Sequence, residues 1–530
     1  MRAVLSHRHA IIARVSNRDT SAARNYHDAT KHSYYSLHTS PHFLDWPNQP
    51  LPFKLYRGLP ALPLPQSRDV SPVPALDAIA AEESETQVER VPDLEDLARV
   101  FYFSAGITKV RTHAGGQILF RAAACTGALY HLELYLACRD LPGLPAGVYH
   151  FGPSDFGLRK LRSGDWRSVA VRASGQEPSL ASAPAVILLT STYWRNSWKY
   201  RQRAYRHCFW DSGTLMANLL AEAVTRQLPV HVLLGFEDAP INALLDLDPD
   251  REVTLAMIAL GRDATSPPPA SGPVDGLDIP TVPLSPAEVD YPEIREMHRA
   301  SSLGSEEEAR RWRGAPPVVE GTAPAGLLFP LHGLPATDVP PDPLEDVIRR
   351  RGSTRRFARS GITFAQLSTL LDRATRGIAA DFLDPFGAHI NDLYLIAHAV
   401  EGLPSGAYVY HRERKALEQL KEGEFRREAG HLDLGQELAA EASVNVYAMC
   451  SLDPVLERFG NRGYRAAQME GGILGGKIYL GAYALGLGAS GLTFFDDDVT
   501  QFFSPHAEGK SVMFLVAVGH PAAGRVLYQR

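Results

Sequence analysis

The chain has 530 residues, of which 45% are apolar and 22% are charged, a composition typical of a folded globular protein. This length predicts two large domains or about three smaller ones, each able to bury a core of its own. The formal net charge of -6 and the isoelectric point near 6.3 exclude the strongly basic surface typical of nucleic-acid binding, so we expect no nucleic-acid partner.

Cysteine usage and hydropathy indicate the cellular compartment. The four cysteines, Cys125, Cys138, Cys208 and Cys450, form no CxxC pair and have no zinc-ligand spacing with histidines, so we expect neither a disulfide framework nor a metal site. The amino terminus contains only short apolar runs broken by His and Arg, unlike the core of a signal peptide. No stretch approaches the ~20 apolar residues of a membrane span. We therefore predict a cytoplasmic protein without a membrane partner.

An internal repeat organises the chain at an offset of 259 residues. LPAGVYHF at 144–151 aligns with LPSGAYVY at 403–410, and Tyr205 and Arg206 align with Tyr464 and Arg465 in the same register. One ungapped offset that persists over about eighty positions indicates two copies of the same structural unit.

Both copies show the same order of elements, in which a helix is followed by strands, a long apolar helix and a last β-branched strand. This order predicts an α+β sandwich with a mixed sheet in each copy, and two fused copies predict an intrachain pseudo-dimer. The predicted elements are helices at 94–103 and 364–374, strands at 132–137 and 393–397, and long helices at 211–226 and 470–485.

The composition also predicts the domain boundaries. We expect an N-terminal domain at 1–264 with a Pro-rich leading segment at 1–65, and a C-terminal domain at 344–530. The Pro-rich stretch at 265–343 is the predicted linker, because proline prevents a continuous helix or a central strand. Its middle has helical composition and is expected to pack on the surface.

Two acidic features have structural interpretations. We interpret Asp211 and Glu470 as charges at the starts of the long helices, where a negative charge interacts favourably with the helix dipole. The run of three aspartates at 496–498 is interpreted as a solvated helix start rather than as a metal site.

The strongest chemical motif is RRRGSTRRF at 349–357, placed ahead of the first helix of copy two. Its clustered guanidinium groups, with Ser353 and Thr354 between them, suit a phosphate and a polar ring edge held through forked, charge-assisted hydrogen bonds. A solvated basic surface explains the same motif equally well.

The sequence resembles the nitroreductase superfamily of flavoproteins and, within it, the SagB-type azoline dehydrogenases. Copy two resembles the superfamily through RRRGSTRRF and through ALGLGASGLTFFDDD at 484–498. Copy one carries the SagB-type resemblance in five segments: YHDATKHS (26–33), FKLYRGLPALPLP (53–65), LARVFYFSAGIT (97–108), RAAACTGALYHLELYL (121–136) and WKYRQRAYRHCFWDSG (198–213).

This resemblance implies an FMN at the interface between two nitroreductase-like units. An Arg-x-Ser-x-Arg/Lys element of one unit grips FMN in the family, which points to Arg351, Ser353 and Arg355. A short turn of the opposite unit faces the flavin, and its residues here depart from the family's usual Pro-Ser. The remaining positions implied are Cys125, Thr126 and Gly127 in that turn, Gly491, Leu492 and Thr493 in the loop after the long helix, and Arg525 after the last strand.

The two copies differ in a way that predicts one FMN per chain. In place of the Arg element, copy one has the acidic stretch EESETQVERVPDLEDLA at 82–98, which would repel a phosphate. Copy two lacks the turn, because Cys125 to Gly127 align with 384–386, which read Asp-Pro-Phe. One interfacial site therefore keeps both halves and the other site loses both.

A second part of the resemblance points to catalysis. SagB-type enzymes carry a Lys-Tyr pair implicated in proton abstraction, and Lys199 and Tyr200 match it. The aligned residues of copy two are Arg458 and Phe459, neither of which can act as a base near neutral pH.

The resemblance therefore implies an FMN-dependent oxidoreductase that oxidises an azoline or related heterocycle in a peptide or small molecule, with dioxygen reoxidising the flavin. Two alternatives stay open: an NAD(P)H-dependent nitro or quinone reductase, and a flavin-binding or precursor-docking protein without catalysis. The chain is expected to be a monomeric pseudo-dimer or to form a higher homo-oligomer.

Overall fold

The computed structural model describes residues 17–39, 42–66, 69–80, 89–113, 116–269, 274–318 and 324–522. None of the helices in these ranges is long and apolar enough to cross a bilayer. The helices are α1 (Ser21–Ala29), α2 (Tyr34–Thr39), α3 (Ala75–Ala78), α4 (Leu94–Ala105), α5 (Arg167–Ala173), α6 (Pro178–Ser182), α7 (Tyr193–Tyr200), α8 (Ala204–Thr225), α9 (Asp238–Leu244), α10 (Pro292–Ala300), α11 (Glu306–Trp312), α12 (Leu344–Arg350), α13 (Phe364–Ala374), α14 (Arg426–Leu432), α15 (Glu437–Glu441), α16 (Leu452–Phe459), α17 (Arg462–Ala484) and α18 (Asp496–Phe503). The strands are β1 (Ala61–Pro63), β2 (Ile107–His113), β3 (Gly116–Arg121), β4 (Leu132–Cys138), β5 (Gly147–Gly152), β6 (Gly157–Ser163), β7 (Ala185–Thr192), β8 (Val230–Leu233), β9 (Glu252–Leu260), β10 (Leu328–Pro330), β11 (Ile362–Thr363), β12 (Asp392–Ala397), β13 (Val400–Glu401), β14 (Gly406–His411), β15 (Ala416–Glu422), β16 (Val444–Ser451), β17 (Gly488–Leu492) and β18 (Lys510–Gly519).

Two seven-stranded sheets repeat one topology. Their strand orders are β1-β6-β5-β4-β7-β9-β8 and β10-β15-β14-β12-β16-β18-β17, so each strand of the first sheet has a counterpart in the second. The predicted offset holds at the strand starts Gly147 and Gly406 and again at Ala185 and Val444. The repeat in the sequence is therefore a repeat in the structure.

The expected mixed sheet is wrong, because every pairing within the two seven-stranded sheets of the described chain is antiparallel. Short turns make β4 and β5, and β5 and β6, antiparallel, because a parallel neighbour would require a long crossover. The pairs β4–β7 and β7–β9 are antiparallel although long segments connect them.

The long helices α8 and α17 pack against each other at the centre of the molecule. Two glycines at the repeat offset allow their close approach, since a Cβ added to Gly213 would lie 2.4 Å from the backbone of Gly472. Both helices begin earlier than predicted, at Ala204 and Arg462, because their first turns carry buried arginines that are paired with carboxylates.

These ion pairs join the two units reciprocally. Asp238 of the first unit lies 2.6 Å from Arg462 and 2.9 Å from Arg465 of the second. Asp496 of the second unit lies 3.0 Å from Arg203 and 2.6 Å from Arg206 of the first. Asp496 is buried, so the interpretation of 496–498 as a wholly solvated helix start is wrong for its first residue. A contact in which each unit presents the same groups to the other is what a pseudo-dimer requires.

Each of the linker helices α10 and α11 buries one face and exposes the other, so they pack on the surface as their composition predicts. Met297 and Trp312 are buried, and the indole Nε1 of Trp312 donates to the carbonyl of Phe459 at 2.7 Å. The guanidinium of Arg465 donates to the carbonyl of His298 at 2.8 Å. The buried face of these helices therefore adds to the core, while residues on the other face, such as Glu293 and Arg311, are exposed.

Candidate active site

The RRRGSTRRF segment runs from the end of α12 along the edge strand β17. Its backbone is fixed there by a hydrogen bond from Thr354 N to the Ala489 carbonyl of 2.9 Å. The guanidinium of Arg351 reaches into the first unit, where it donates to the carbonyls of Ala122 at 2.9 Å and Arg121 at 3.2 Å. This segment of the second unit therefore touches the first unit just ahead of the 125–127 turn.

A buried charge cluster fixes the helix that leads into this segment. Arg99 of α4 pairs with Glu345 of α12, and its Nε lies 3.1 Å from Glu222 of α8. All three side chains are almost completely buried. One guanidinium thus serves two carboxyl groups from different units, and burial together with the charge of Glu345 raises the pKa of Glu222 from its ordinary 4.5 to about 8.

This cluster predicts a pH-dependent stability. The folded state keeps Glu222 protonated between pH 4.5 and about 8, whereas the unfolded chain releases that proton, so stability is lost as pH rises through this window. The expected slope from this one group is about 1.4 kcal/mol per pH unit. Denaturant unfolding of Glu222→Gln and of the wild type at pH 5 and pH 8 measures it. The stability difference between the two proteins should change with pH, and a constant difference would contradict the prediction.

The turn at 125–127 is held by a carboxylate rather than by a proline. Asp211 accepts hydrogen bonds from Thr126 N at 2.9 Å, from Thr126 Oγ1 at 2.8 Å and from the Cys125 thiol at 3.2 Å. Asp211 lies well inside α8 and Glu470 well inside α17, so the interpretation of both as helix-start charges is wrong. Gly127 has φ +63° and lies against Tyr200, whose hydroxyl would be 2.8 Å from an added Cβ.

Lys199 and Tyr200 form the last turn of α7, at the same place. Burial lowers the pKa of Lys199, and the charge of Arg355 from the second unit lowers it further. Burial raises the pKa of Tyr200 well above its ordinary value; the charge of Asp211 adds to this shift and the charge of Arg355 opposes it. The structure thus brings together the predicted catalytic pair, the turn of the first unit and the Arg element of the second.

The residues expected in a loop after α17 complete the same region, but Gly491 and Leu492 belong to strand β17 and only Thr493 follows it. Gly491 N donates to the hydroxyl of Tyr479, which lies 3.2 Å from Ser353 Oγ. Gly491 is exposed, and Leu492 and Thr493 are half-buried. The Thr493 Oγ1 atom is buried and has no hydrogen-bond partner within the described chain. Arg525 lies outside the described residues.

The position that corresponds to this site at the other end of the repeat is occupied by different residues. There Leu233 takes the place of Leu492 in the sheet register. The amides of the next two residues, Leu234 and Gly235, donate to the Asp381 carboxylate at 2.9 Å and 2.8 Å. Both residues are buried, and a Cβ on Gly235 would lie 3.0 Å from the Trp312 ring. Side chains therefore cover this second position, whereas Gly491 at the first position is exposed. Residues 81–88, which include part of the acidic stretch at 82–98, lie outside the described residues.

A model of the nitroreductase family matches residues 151–262 and 348–520, which together make up more than half of the chain. The chain belongs to the nitroreductase family. Members of this family are generally FMN-dependent oxidoreductases.

Three similar proteins illustrate the relationship. A putative nitroreductase from Anabaena variabilis, known as a crystal structure, is 26% identical, with a TM-score of 0.75, and the match covers 95% of this chain and 100% of that one. A putative nitroreductase from Methanocaldococcus jannaschii is 28% identical over 169 residues, which are 32% of this chain and 80% of the relative. An FMN-dependent nitroreductase from Clostridium difficile is 12% identical, with a TM-score of 0.21, over 34% of this chain and 88% of that one. The expected fold class, two nitroreductase-like α+β units in one chain, is confirmed.

The residues of this nitroreductase-family site fit an FMN. Two guanidinium groups, Arg351 and Arg355, offer charge to a phosphate. The Thr493 hydroxyl is the buried polar atom that still needs a partner. Gly127 and Gly491 are both exposed and carry no side chain, which leaves room for a flat ring near the backbone.

Two residues of this nitroreductase-family site were missed by sequence reasoning. Asp211 holds the turn although it lies more than eighty residues away in the chain, and Tyr479 links Ser353 to Gly491. The repeat contained a signal for the first of them: Glu470, at the repeat offset from Asp211, likewise accepts hydrogen bonds from the backbone ahead of a strand.

Proposed function

We propose that the chain is a SagB-like, FMN-dependent dehydrogenase that oxidises an azoline or related heterocycle in a peptide or small molecule. The observation that carries this proposal is the placement of Lys199 and Tyr200 within electrostatic reach of Arg355 from the opposite unit. Oxidation of such a ring removes a proton and a hydride from it. The reaction therefore needs a base close to the residues that bind the flavin.

FMN, when bound, supplies a hydride acceptor that an oxidant such as dioxygen restores. Arg351, Ser353 and Arg355 would hold it from the second unit, and the turn from Cys125 to Gly127 would face it from the first. The bound FMN would also offer a hydrogen-bond partner to Thr493 Oγ1, which has none within the described chain. The anchoring of Thr126 by Asp211 keeps the wall of the site in place without a proline.

The two predicted catalytic residues have different protonation tendencies. Because burial and Arg355 lower the pKa of Lys199, its amine is neutral more often than that of an exposed lysine and can accept a proton. Because the pKa of Tyr200 is raised, its phenol stays protonated and donates a hydrogen bond. We therefore assign proton removal to Lys199 and orientation of the ring to the Tyr200 hydroxyl.

The flavin content of the purified chain tests the cofactor part of the proposal. We expect about one FMN per chain, because Asp381 already binds the two amides at the second position and Trp312 lies beside them. Released flavin is measured by absorbance against protein concentration. A ratio near two would contradict the asymmetry, and a ratio near zero that FMN addition cannot raise would contradict the enzyme assignment.

An NAD(P)H-dependent nitro or quinone reductase is the second candidate, which the names of the Anabaena and Methanocaldococcus relatives favour. Anaerobic mixing distinguishes the two. Bleaching of the flavin by a thiazoline but not by NADPH supports the dehydrogenase, and the reverse result supports the reductase. A nicotinamide binds at a flavin without needing a base, so the reductase would retain its activity in Lys199→Ala.

A further inference from the structure

Three side chains of different chemistry meet behind the 125–127 turn. The Oδ2 atom of Asp211 lies 3.2 Å from Cys125 Sγ and 2.8 Å from His131 Nε2. All three ligand atoms lie within 4.8 Å of one another. His131 and Asp211 are buried, whereas Cys125 is partly exposed. Thiol, imidazole and carboxylate are the three ligand types that zinc accepts.

The charge of this cluster is not balanced by a lysine or arginine. Among the described residues, Asp211 forms an ion pair only with His131. Among the other buried carboxylates of the described chain, Asp381, Asp433 and Glu470 also have no ion pair, whereas several have permanent cations beside them, which offset the cost of burying a charge. The paired ones include Glu133 with Arg195, Glu252 with Lys54, Asp238 with Arg462 and Arg465, and Asp496 with Arg203 and Arg206.

The second copy shows that the fold does not need the thiol or the imidazole. Glu470 takes the place of Asp211 and accepts hydrogen bonds from Ile390 N at 2.9 Å and from Asn391 N at 2.8 Å. The residues at the repeat offset from Cys125 and His131 are Asp384 and Ile390. The same carboxylate therefore anchors its loop without either group, so Cys125 and His131 add something that the fold itself does not require.

The orientation of the three groups also suits a cation. Thr126 holds the Asp211 carboxylate through its amide and hydroxyl, which fixes the direction of Oδ2. His131 Nδ1 lies 2.8 Å from Ser191 Oγ, so the opposite ring nitrogen, Nε2, is presented to the cluster. The Cys125 sulfur accepts a hydrogen bond from Tyr130 N at 3.2 Å. Outer-shell bonds of this kind orient metal ligands in proteins.

We propose that Cys125 Sγ, His131 Nε2 and Asp211 Oδ2 bind one divalent cation, with zinc as the best match to this ligand set. Binding forms metal bonds to sulfur, nitrogen and oxygen, and the thiol proton of Cys125 leaves to solvent. Thiolate and carboxylate together then balance the double charge of the ion. Ligand atoms at about 2.0–2.3 Å from zinc lie about 3–3.7 Å apart, so zinc would draw together the sulfur and nitrogen atoms, which lie within 4.8 Å of each other here.

Such a site differs from the sequence-based expectation of no metal. The cysteine and histidine are six residues apart, and the aspartate lies on another element, so no short spacing motif announces the set. Three protein ligands leave a fourth position for water or for a substrate heteroatom. Because Cys125 belongs to the proposed flavin-facing turn, the ion would also stiffen that turn.

Metal content of the untagged full-length chain tests this proposal independently of any enzymatic activity. After dialysis against zinc and removal of free metal, we expect about one zinc per chain, with an affinity that increases with pH because the thiol must lose its proton. Cobalt in place of zinc should give a near-ultraviolet band of a thiolate–cobalt bond, read as a difference from the metal-free protein.

Variants assign the ligands. Cys125→Ser and His131→Gln should each bind zinc at least about tenfold more weakly. Cys138→Ser, which changes a buried thiol at the far end of β4, should bind like the wild type. Circular dichroism confirms that each variant is folded, and if either ligand variant is not, the wild-type ratio and the cobalt band decide. A wild type that takes up no zinc, or ligand variants that bind it unchanged, would overturn the proposal.

Discussion

Replacing Lys199 by alanine is expected to lower kcat/KM for azoline oxidation by about 10²- to 10⁴-fold while FMN stays bound, which is the usual contribution of a general base. The residue lies beside Tyr200 and within electrostatic reach of Arg355, but it belongs to none of the bonds that anchor the turn. Steady-state oxidation of a thiazoline, together with the flavin absorbance of the same sample, separates loss of catalysis from loss of cofactor.

The pH profile gives this prediction a second readout. Activity of the wild type should rise with pH through the pKa of Lys199, which burial and Arg355 place below the ordinary 10.5. That rise should disappear in Lys199→Ala. Lys160→Ala removes a partly buried lysine from β6, away from the site, and should leave the profile unchanged. Equal activity of Lys199→Ala and wild type would remove Lys199 from the mechanism.

Much of the fold was predictable because the constant offset of the repeat tells which residues of the two units occupy equivalent positions. Strands β5 and β14 begin at Gly147 and Gly406, as the offset requires, and the helix predicted at 364–374 is observed. The failures have physical reasons. The mixed sheet was wrong: short turns enforce the antiparallel neighbours β4–β5 and β5–β6, and the pairs joined by longer segments are antiparallel as well. The early start of α8 was missed because Arg203 and Arg206 look like surface residues until Asp496, almost three hundred positions away, is seen beside them.

The candidate site was predictable where its chemistry is concentrated in one stretch. RRRGSTRRF stands out locally, whereas the Lys199–Tyr200 dipeptide was singled out only through the family resemblance. The structure places the two near each other. The role of Asp211 was not predictable, because a single carboxylate in a helix has no local pattern that reveals its partner. The same is true of Asp381, whose contact with Gly235 crosses between the units. Long-range pairing therefore limits what the sequence reveals about this site.

Removing the guanidinium groups of Arg351 and Arg355 together is expected to weaken FMN binding by about 100-fold or more, since a charge-assisted hydrogen bond contributes about 1.5–3 kcal/mol. Arg355→Ala alone is the cleaner change, because its side chain is exposed whereas Arg351 also binds the carbonyls of Ala122 and Arg121. Titration of flavin-free protein with FMN, followed by flavin fluorescence, measures both variants.

The adjacent arginine provides the matched control. Arg356 is exposed like Arg355 but has no place in the Arg-x-Ser-x-Arg element, so Arg356→Ala should bind FMN like the wild type. Salt should weaken wild-type binding more than binding to the double variant, because screening acts on the charges that the variant lacks. If Arg355→Ala and Arg356→Ala bound FMN equally well, the basic segment would be a solvated surface, and the second unit would have to hold the phosphate by other groups.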